Sequence, residues 1–240
     1  MRFWLAHLAI LKQKPLATST LLQKASHINL LTELQPPLIH GGPVAVAHQL
    51  HGSGVCYVPG ERPAMLPPSF LLTLAYLEQP QLIHIAVQMQ AQLGLRAGQM
   101  VLILPIHLKT PGRILVPKFK KQKHAVLLPT EHIPEWLLRA FLSYSKNDLV
   151  PILPWTGEQY RTKFKQLTAT YQLKHASHSA RHTFASVRKL LGDPLHIISC
   201  RLIHSSEKSV YNYLHELTDQ EKHLVNANPA YFRNAPLKLT

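Results

Sequence analysis

The hydrophobic period of this chain changes from helical to strand-like in one stretch and then returns, and this stretch constrains the fold more than any other feature. After residue 68, apolar residues recur at helical spacing near 69–95, 131–145, 157–171, 178–191, 194–202 and 206–218. Between the first two of these segments lie three short apolar or β-branched runs, Met100–Leu108, Arg113–Phe119 and Ala125–Leu128. Turn residues separate the runs, so they predict antiparallel strands. We therefore expect a mainly α protein with one small three-stranded antiparallel sheet.

The first quarter of the chain predicts a separate, smaller domain. Residues 1–35 show two helical patterns, and the passage Gln35–Pro68 that follows is rich in proline, glycine and histidine. We place the domain boundary near Gly60, with a short helical domain and linker at 1–59 and a larger domain at 60–240. The polar tail Asn226–Thr240 contains two prolines and predicts irregular structure.

The charge balance predicts an anionic partner. The chain has 26 lysines and arginines against 12 acidic residues, which gives a net charge of +14 with histidine neutral. So strong an excess is typical of proteins that bind nucleic acid, with an anionic membrane surface as the second candidate. No run of about 18 uninterrupted apolar residues is present, which argues against a membrane-spanning segment. Double-stranded DNA is therefore the expected partner.

Cysteine usage and the N-terminal stretch predict an intracellular protein. Cys56 and Cys200 lie far apart and form no disulfide framework or thiolate zinc pattern. The apolar stretch at the start is interrupted by His7 and Lys12 and lacks a convincing small-residue cleavage site, so it predicts a helix and not a signal peptide. We expect a location inside the cell, in association with DNA.

The stretch 178–217 carries the densest set of residues suited to chemistry. It reads HSARHTFASVRKLLGDPLHIISCRLIHSSEKSVYNYLHEL. Four short elements follow one another in it: His-x-x-Arg-His-Thr-Phe-Ala from His178, Gly-Asp-Pro-Leu from Gly192, Leu-Ile-His-Ser-Ser from Leu202, and Tyr-Leu-His from Tyr213. Each element alone is a weak signal, but all four in this order and at these separations form a strong one.

In these elements the chain resembles the tyrosine recombinases, the phage-integrase-like site-specific recombinases. That family has the same elements in the same order, with a tyrosine nine residues after the histidine of the third element, as Tyr213 follows His204 here. Two positions depart from the pattern: Ala180 replaces a usual leucine, and Ile203 replaces a usual glycine. The resemblance covers about residues 60–220. It implies a tyrosine recombinase catalytic domain preceded by a short helical core-binding region.

The resemblance also implies a function. The chain would be a site-specific DNA recombinase or integrase, of the kind found on mobile genetic elements, that cleaves and rejoins DNA through a 3′-phosphotyrosine intermediate. The reaction conserves the bond energy in the covalent link, so no cofactor is implied. No metal is implied either, because arginines take the place of a divalent ion. Recombination on paired sites implies a homo-oligomer, with a tetramer expected.

The phosphate-binding groups are expected to be Arg96, Arg181 and His204. Two guanidiniums can each grip non-bridging phosphate oxygens with two parallel hydrogen bonds, which suits a five-coordinate transition state. Arg96 is assigned through Gly94-Leu95-Arg96, which matches the Gly-Leu-Arg that the family carries before its sheet, although Gln99 replaces the usual acid. His204 is expected to hydrogen-bond the scissile phosphate.

Tyr213 is the expected nucleophile, and His178 is expected to accept its proton, because a phenol keeps that proton at neutral pH. Lys121 on the lysine-rich hairpin is the expected acid for the leaving 5′ oxygen, with Lys118, Lys120 and Lys123 as competitors. The following residues are expected to contact DNA: Arg113, Lys118, Lys120 and Lys123.

Several alternatives stay open from the sequence. Tyr211 competes with Tyr213 as nucleophile, and the spacing of His175, His178 and His182 would also suit a zinc site on a helix. Gln99 and Ile203 raise the possibility of a non-catalytic DNA-binding protein with the same fold. A type IB topoisomerase would use similar chemistry. His182 is interpreted as structural support for the site.

Overall fold

The computed structural model describes residues 64–120, 122–204 and 206–233. The chain divides into two units, residues 1–62 and 63–240, and every described residue belongs to the second. The two helices predicted within residues 1–35 lie outside the described residues, as does the domain predicted for residues 1–59. The domain boundary near residue 60 therefore stays a prediction.

The described part is mainly helical, as predicted. Its elements are α1 Pro68–Ala75, α2 Leu82–Leu93, α3 Ala97–Met100, a 3-10 helix Pro105–Leu108, β1 Arg113–Val116, β2 Val126–Pro129, α4 Glu135–Ser143, α5 Gly157–Thr170, α6 Ser179–Leu190, α7 Leu195–Arg201, a second 3-10 helix Glu207–Asn212, α8 Asp219–Ala227 and α9 Pro229–Phe232. Gln79-Pro80 lies in the stretch that separates α1 from α2.

Helix α2 lies at the centre of the core. All nine residues from Ile85 to Leu93 are buried, and α1, α4, α5 and α6 pack around the helix. Its buried glutamines have partners: the side-chain amide of Gln90 donates to the backbone carbonyl of Leu95 at 2.9 Å, and that of Gln92 donates to the carbonyl of Tyr231 at 3.0 Å. These bonds avoid the cost of an unsatisfied buried amide. Helix α2 thus fixes the start of the Gly94–Arg96 turn.

The prediction of a third strand at Met100–Leu108 is wrong. The described residues form a two-stranded antiparallel sheet in which Arg113 pairs with Pro129 and Val116 with Val126. Met100 ends α3 instead, because the Gln99 side chain accepts a hydrogen bond from the Arg96 backbone amide and starts a helical turn. Pro105 then begins a 3-10 helix, since proline has no N–H to give to a strand ladder.

Two predictions near the C-terminus also need correction. The helix predicted at 206–218 is only the 3-10 helix Glu207–Asn212. The tail predicted to be irregular from Asn226 contains helix α9, Pro229–Phe232, whose Tyr231 and Phe232 are buried. Burial of these two aromatic rings outweighs the polar composition of the tail. The remaining tail residues, 234–240, lie outside the described residues.

Candidate active site

Four short segments, each at the end of a helix, meet in one region. The turn Gly94–Arg96 follows α2, His178 stands at the N-cap of α6, the turn Leu202–His204 follows α7, and Tyr213 ends the second 3-10 helix. Helix ends suit a phosphate-binding site because their side chains and backbone groups are not all committed to the helix. The region therefore collects residues that lie more than 100 positions apart in the sequence.

Arg181 is a fully buried cation at the centre of this region. Its side chain is 0% exposed, and its Nη1 donates to the backbone carbonyl of Gly94. Its Nη2 donates to the carbonyl of Leu202 at 3.0 Å and to Nε2 of His204 at 2.9 Å. Burial, with a smaller contribution from Arg96, lowers the pKa of Arg181 to about 10, so the guanidinium stays charged at neutral pH. Among the described residues, no carboxylate lies within salt-bridge distance of it.

His204 is held by an unusual helix end. The amide of His204 donates to the carbonyl of Ser199 and the amide of Ile203 donates to that of Cys200, the two bonds of a Schellman motif. This motif needs a left-handed residue, and Ile203 takes that conformation with φ of 56°. The turn that glycine usually allows is thus formed here by a β-branched residue, and His204 still reaches Arg181.

The imidazole of His204 is in a defined tautomer. Because the arginine nitrogen can only donate, Nε2 of His204 accepts and its Nδ1 carries the proton. This Nδ1 is buried and finds no hydrogen-bond partner among the described residues. Burial, then Arg181 and Arg96, lower the pKa of His204 to about 4, so the ring is neutral at pH 7.

The ring of Tyr213 lies against Arg181 and three histidines. The guanidinium carbon of Arg181 is 5.3 Å from the centre of the Tyr213 ring. The ring centres of His178, His182 and His204 lie 5.2, 4.8 and 4.8 Å from it. Tyr211, the competing tyrosine, is 57% exposed. Of the two tyrosines, Tyr213 is the one that the structure brings to the arginine.

His178 is available for hydrogen bonding near Tyr213. It occupies the N-cap of α6, but its side chain makes no capping hydrogen bond. Burial, followed by Arg181 and Arg96, lowers the pKa of His178 to about 4. At neutral pH the imidazole is therefore uncharged and has a lone pair that can accept a proton.

Arg96 lines an open cavity of about 580 Å³ beside this cluster. The cavity is also lined by His204, Tyr213 and the hairpin residues Phe119, Lys120 and Gln122. Gln99, which stands where the family usually has an acid, forms two hydrogen bonds beside Arg96. Its Oε1 accepts from the Arg96 amide at 2.9 Å, and its amide nitrogen donates to Oε1 of Gln122 at 3.2 Å. A carboxylate could not make the second bond, so glutamine joins the Arg96 turn to the hairpin.

The predictions for the lysines of the hairpin have different outcomes. Lys121, the expected acid, lies outside the described residues. Lys120 is exposed, lines the cavity and lies over the Phe119 ring, with its Nζ 5.4 Å from the ring centre. Lys118, Lys123 and Arg113 are exposed, as DNA contacts would need to be. Their expected role in binding DNA stays a prediction.

The site also contains three residues that the sequence did not predict: Phe119, Gln122 and Ser186. Phe119 and Gln122 line the cavity, and Ser186 hydrogen-bonds the segment that follows Tyr213. Only Ser186 had a usable signal, because it stands four residues after His182 and shares its helix face. Phe119 and Gln122 lie in a loop, where no periodic pattern marks which side chains point inward.

The alternative of a zinc site finds no support. Within residues 64–120, 122–204 and 206–233, no group of three or more histidine, cysteine or acidic side chains is arranged to hold a metal ion. His178 and His182 do lie close, with ring centres 5.3 Å apart. The described part of the chain also contains no helix long and apolar enough to cross a membrane.

Similarity to solved structures identifies the fold. The structure is similar to the Tn1549 transposon integrase in complex with circular-intermediate DNA, with a TM-score of 0.62 at 18% identity over 91% of this chain and 82% of that one. The XerA recombinase gives a TM-score of 0.57 at 17% identity, over 95% and 89% of the two chains. The chain has the tyrosine recombinase fold. Likeness at this low identity defines the architecture alone.

A third similar protein with the tyrosine recombinase fold is the lambda integrase, solved as a dimer bound to a core site. Its TM-score is 0.56 at 13% identity, over 73% of this chain and 57% of that one. No protein-family model matches the sequence, and no curated protein does either. The recombinase fold is thus shown by three-dimensional similarity and not by sequence similarity.

Proposed function

We propose that this protein is a site-specific DNA recombinase or integrase that cleaves and rejoins DNA through a 3′-phosphotyrosine link to Tyr213. The observation that carries the proposal is the position of the Tyr213 ring, 5.3 Å from the guanidinium of Arg181 and next to a cavity lined by Arg96. A phenol beside two cations suits attack on a phosphodiester, where negative charge accumulates. The net charge of +14 supports a polyanionic substrate.

The proposed cleavage step uses Tyr213, His178 and Lys121. The phenol oxygen of Tyr213 attacks phosphorus, the bond from phosphorus to the 5′ oxygen breaks, and the phenol proton passes to His178, which is neutral at pH 7. The departing 5′ oxygen takes a proton from a general acid, for which we propose Lys121. Attack by the 5′-hydroxyl of a second strand reverses these steps and releases Tyr213.

Arg96, Arg181 and His204 are proposed to stabilise the transition state. Arg181 has neutral hydrogen-bond partners, and its Nε is buried without a partner among the described residues. The Nδ1–H of His204 is likewise unpaired there. Buried donors without partners are rare in folded proteins, and a phosphate oxygen would satisfy them. Exchange between two duplexes would further require several protomers, as in a tetramer on paired sites.

The proposal predicts a covalent protein–DNA adduct that depends on Tyr213. The probe is a pool of nicked DNA duplexes of randomised sequence, in which the short fragment released by cleavage diffuses away and prevents rejoining. We expect the wild-type chain to form an adduct that resists SDS, Tyr213→Phe to form none, and Tyr211→Phe to behave as wild type. The trapped duplexes are then sequenced to identify the preferred site.

Two results would contradict this proposal. If Tyr213→Phe forms the adduct and Tyr211→Phe does not, the nucleophile is Tyr211 and not Tyr213. Salt-sensitive binding of the pool without any adduct in the wild type would indicate a DNA-binding protein that keeps the fold without the chemistry.

A further inference from the structure

The backbone that carries Tyr213 is held in place by side chains of α6. Tyr213 ends a 3-10 helix, and the next five residues have no regular secondary structure. Ser186 of α6 bridges this segment: its hydroxyl accepts from the amide of His215 at 2.9 Å and donates to the carbonyl of Tyr213 at 3.4 Å. A hydroxyl can make both bonds at once. The α6 helix thus replaces the hydrogen bonds that a continuing helix would provide.

A pair of histidines completes this attachment. Nδ1 of His182 lies 2.8 Å from Nε2 of His215, a hydrogen-bond distance that places one shared proton between the two rings. His182 stands one helical turn before Ser186, so both side chains face the same segment. The segment after Tyr213 therefore has a hydroxyl contact and an imidazole contact on one face of α6.

The same histidine touches the tyrosine ring itself. His182 is 2% exposed, and its ring centre lies 4.8 Å from that of Tyr213 and 4.9 Å from that of His215. Burial, then His178, His215 and Arg181, lower the pKa of His182 to about 4, which keeps the ring neutral and able to share one proton with His215. The His182 ring is fixed by His215 on one side and supports the Tyr213 ring on the other.

We propose that His182 and His215 form a positioning pair that orients Tyr213 for attack, without either histidine touching the phosphate. This inference rests on the proposed function for its catalytic meaning, but its structural content concerns the orientation of one ring. A purely space-filling role would need only an apolar side chain of similar size at residue 215. A positioning role needs a hydrogen-bonding group there, and the two roles are therefore separable by substitution.

The variants follow from the geometry of the pair. His215→Leu fills the space without a hydrogen-bonding group, whereas His215→Gln places an amide close to the position of Nε2. A side-chain amide can donate or accept, so it can serve whichever nitrogen of the pair carries the proton. His182→Asn does the same at the position of Nδ1. His223, an exposed histidine on α8, provides the matched control His223→Leu.

The first measurement is single-turnover cleavage of the duplex that the wild-type chain traps most efficiently, together with the affinity for that duplex. We expect His215→Leu to cleave about 10- to 100-fold more slowly, the loss associated with a reacting group displaced by about 1 Å. Affinity should stay within about twofold, because positioning acts on the reaction and not on the DNA contacts. His215→Gln and His182→Asn should recover most of the rate, and His223→Leu should match wild type.

The second measurement does not depend on catalysis. The full chain is labelled with 3-fluorotyrosine, and the fluorine resonance of residue 213 is identified by its loss in Tyr213→Phe. We expect one narrow resonance in wild type and in His215→Gln, and a shifted or broadened one in His215→Leu. If wild type forms no adduct but the resonance responds in this way, the proposed function fails and the positioning pair stands. If the resonance and the cleavage rate of His215→Leu both match wild type, or if the glutamine variant gives no recovery, the positioning pair is wrong.

Discussion

At the scale of single residues, Arg181 shows how the fold stabilises a buried positive charge that can still bind an anion. Burial of an unpaired cation costs several kcal/mol, even after the surrounding structure relaxes. Here two backbone carbonyls and a neutral imidazole accept its hydrogen bonds, and no carboxylate of the described residues does so. Such partners solvate a guanidinium without cancelling its charge. The residue therefore keeps its affinity for an anion, whereas a carboxylate partner would have reduced it.

Ile203 is a second residue with a measurable consequence. It occupies the left-handed position of a Schellman motif, where a side chain with a Cβ costs about 1–2 kcal/mol. We expect Ile203→Gly to be more stable than Ile203→Ala by about 1 kcal/mol, since both remove the side chain but only glycine relieves the backbone. In an ordinary helical position the order is reversed. Urea unfolding of the two variants measures the difference.

Gly192 supplies the control for that comparison. It occupies the corresponding position after α6, with φ of 92°, and a Cβ built on it would have no atom within 4 Å. Gly192→Ala therefore measures the backbone cost alone. The free energy of unfolding that it loses should equal the difference in that free energy between Ile203→Gly and Ile203→Ala. If Ile203→Ala is as stable as Ile203→Gly, the strain attributed to the backbone is absent.

At the scale of elements, the attachment of the hairpin to α3 decides the shape of the cavity. Phe119 packs directly on Gly98, so closely that a Cβ on Gly98 would lie 2.3 Å from Cζ of the ring. Next to this contact, Gln122 accepts hydrogen bonds from the Phe119 amide at 3.1 Å and from Gln99 at 3.2 Å. Together these contacts hold the lysine-bearing loop close to Arg96.

We expect Gly98→Ala to displace the Phe119 ring and to destabilise the chain by about 1–3 kcal/mol, the usual cost of overpacking. The control is Gly157→Ala, because Gly157 faces Gly98 and a Cβ there meets its Cα at an ordinary 3.4 Å. That variant should have a stability close to wild type, which is measured by urea unfolding. Equal stability of the two variants would show that the Phe119 contact is looser than the structure gives.

Element types were predictable wherever the periodic pattern was long. The central helices and the two strands of the hairpin were found from apolar spacing, and the residues around Arg181 were found from a motif. The prediction of a third strand was wrong because a short apolar run such as Met100–Leu108 suits a strand and a helical turn equally well. The helical turn is favoured by the hydrogen bond from the Arg96 amide to the Gln99 side chain, which the apolar pattern does not show. Helix α9 was not predicted because the burial of Tyr231 and Phe232 depends on tertiary packing that no local pattern shows.

At the scale of the whole molecule, buried histidines couple folding to pH. Among the described residues, the buried His132 and His182 and the half-buried His178 and His204 have a pKa lowered to about 4, with burial as the largest cause in each. Between pH 6.5 and 4 the unfolded chain binds protons at these positions and the folded chain does not. The free energy of unfolding should therefore decrease as the pH falls through this window.

The two most buried of these, His132 and His182, should each contribute a slope of up to about 1.4 kcal/mol per pH unit inside that window. Urea unfolding between pH 7 and pH 5 measures the total slope. His132→Gln should remove the contribution of one titrating group from this slope, because glutamine does not titrate in this range. The glutamine amide can still donate to the carbonyl of Gln92. His223→Gln, at an exposed position, should leave it unchanged. Equal stability at both pH values would contradict the assignment.

The location of the Tyr213 ring has one more consequence. Arg181 is fully buried and the aromatic ring lies over it, so the fold itself brings the nucleophile and the cation together. For a chain that acts as proposed, the entropy of assembling these two groups is lost during folding and not during cleavage.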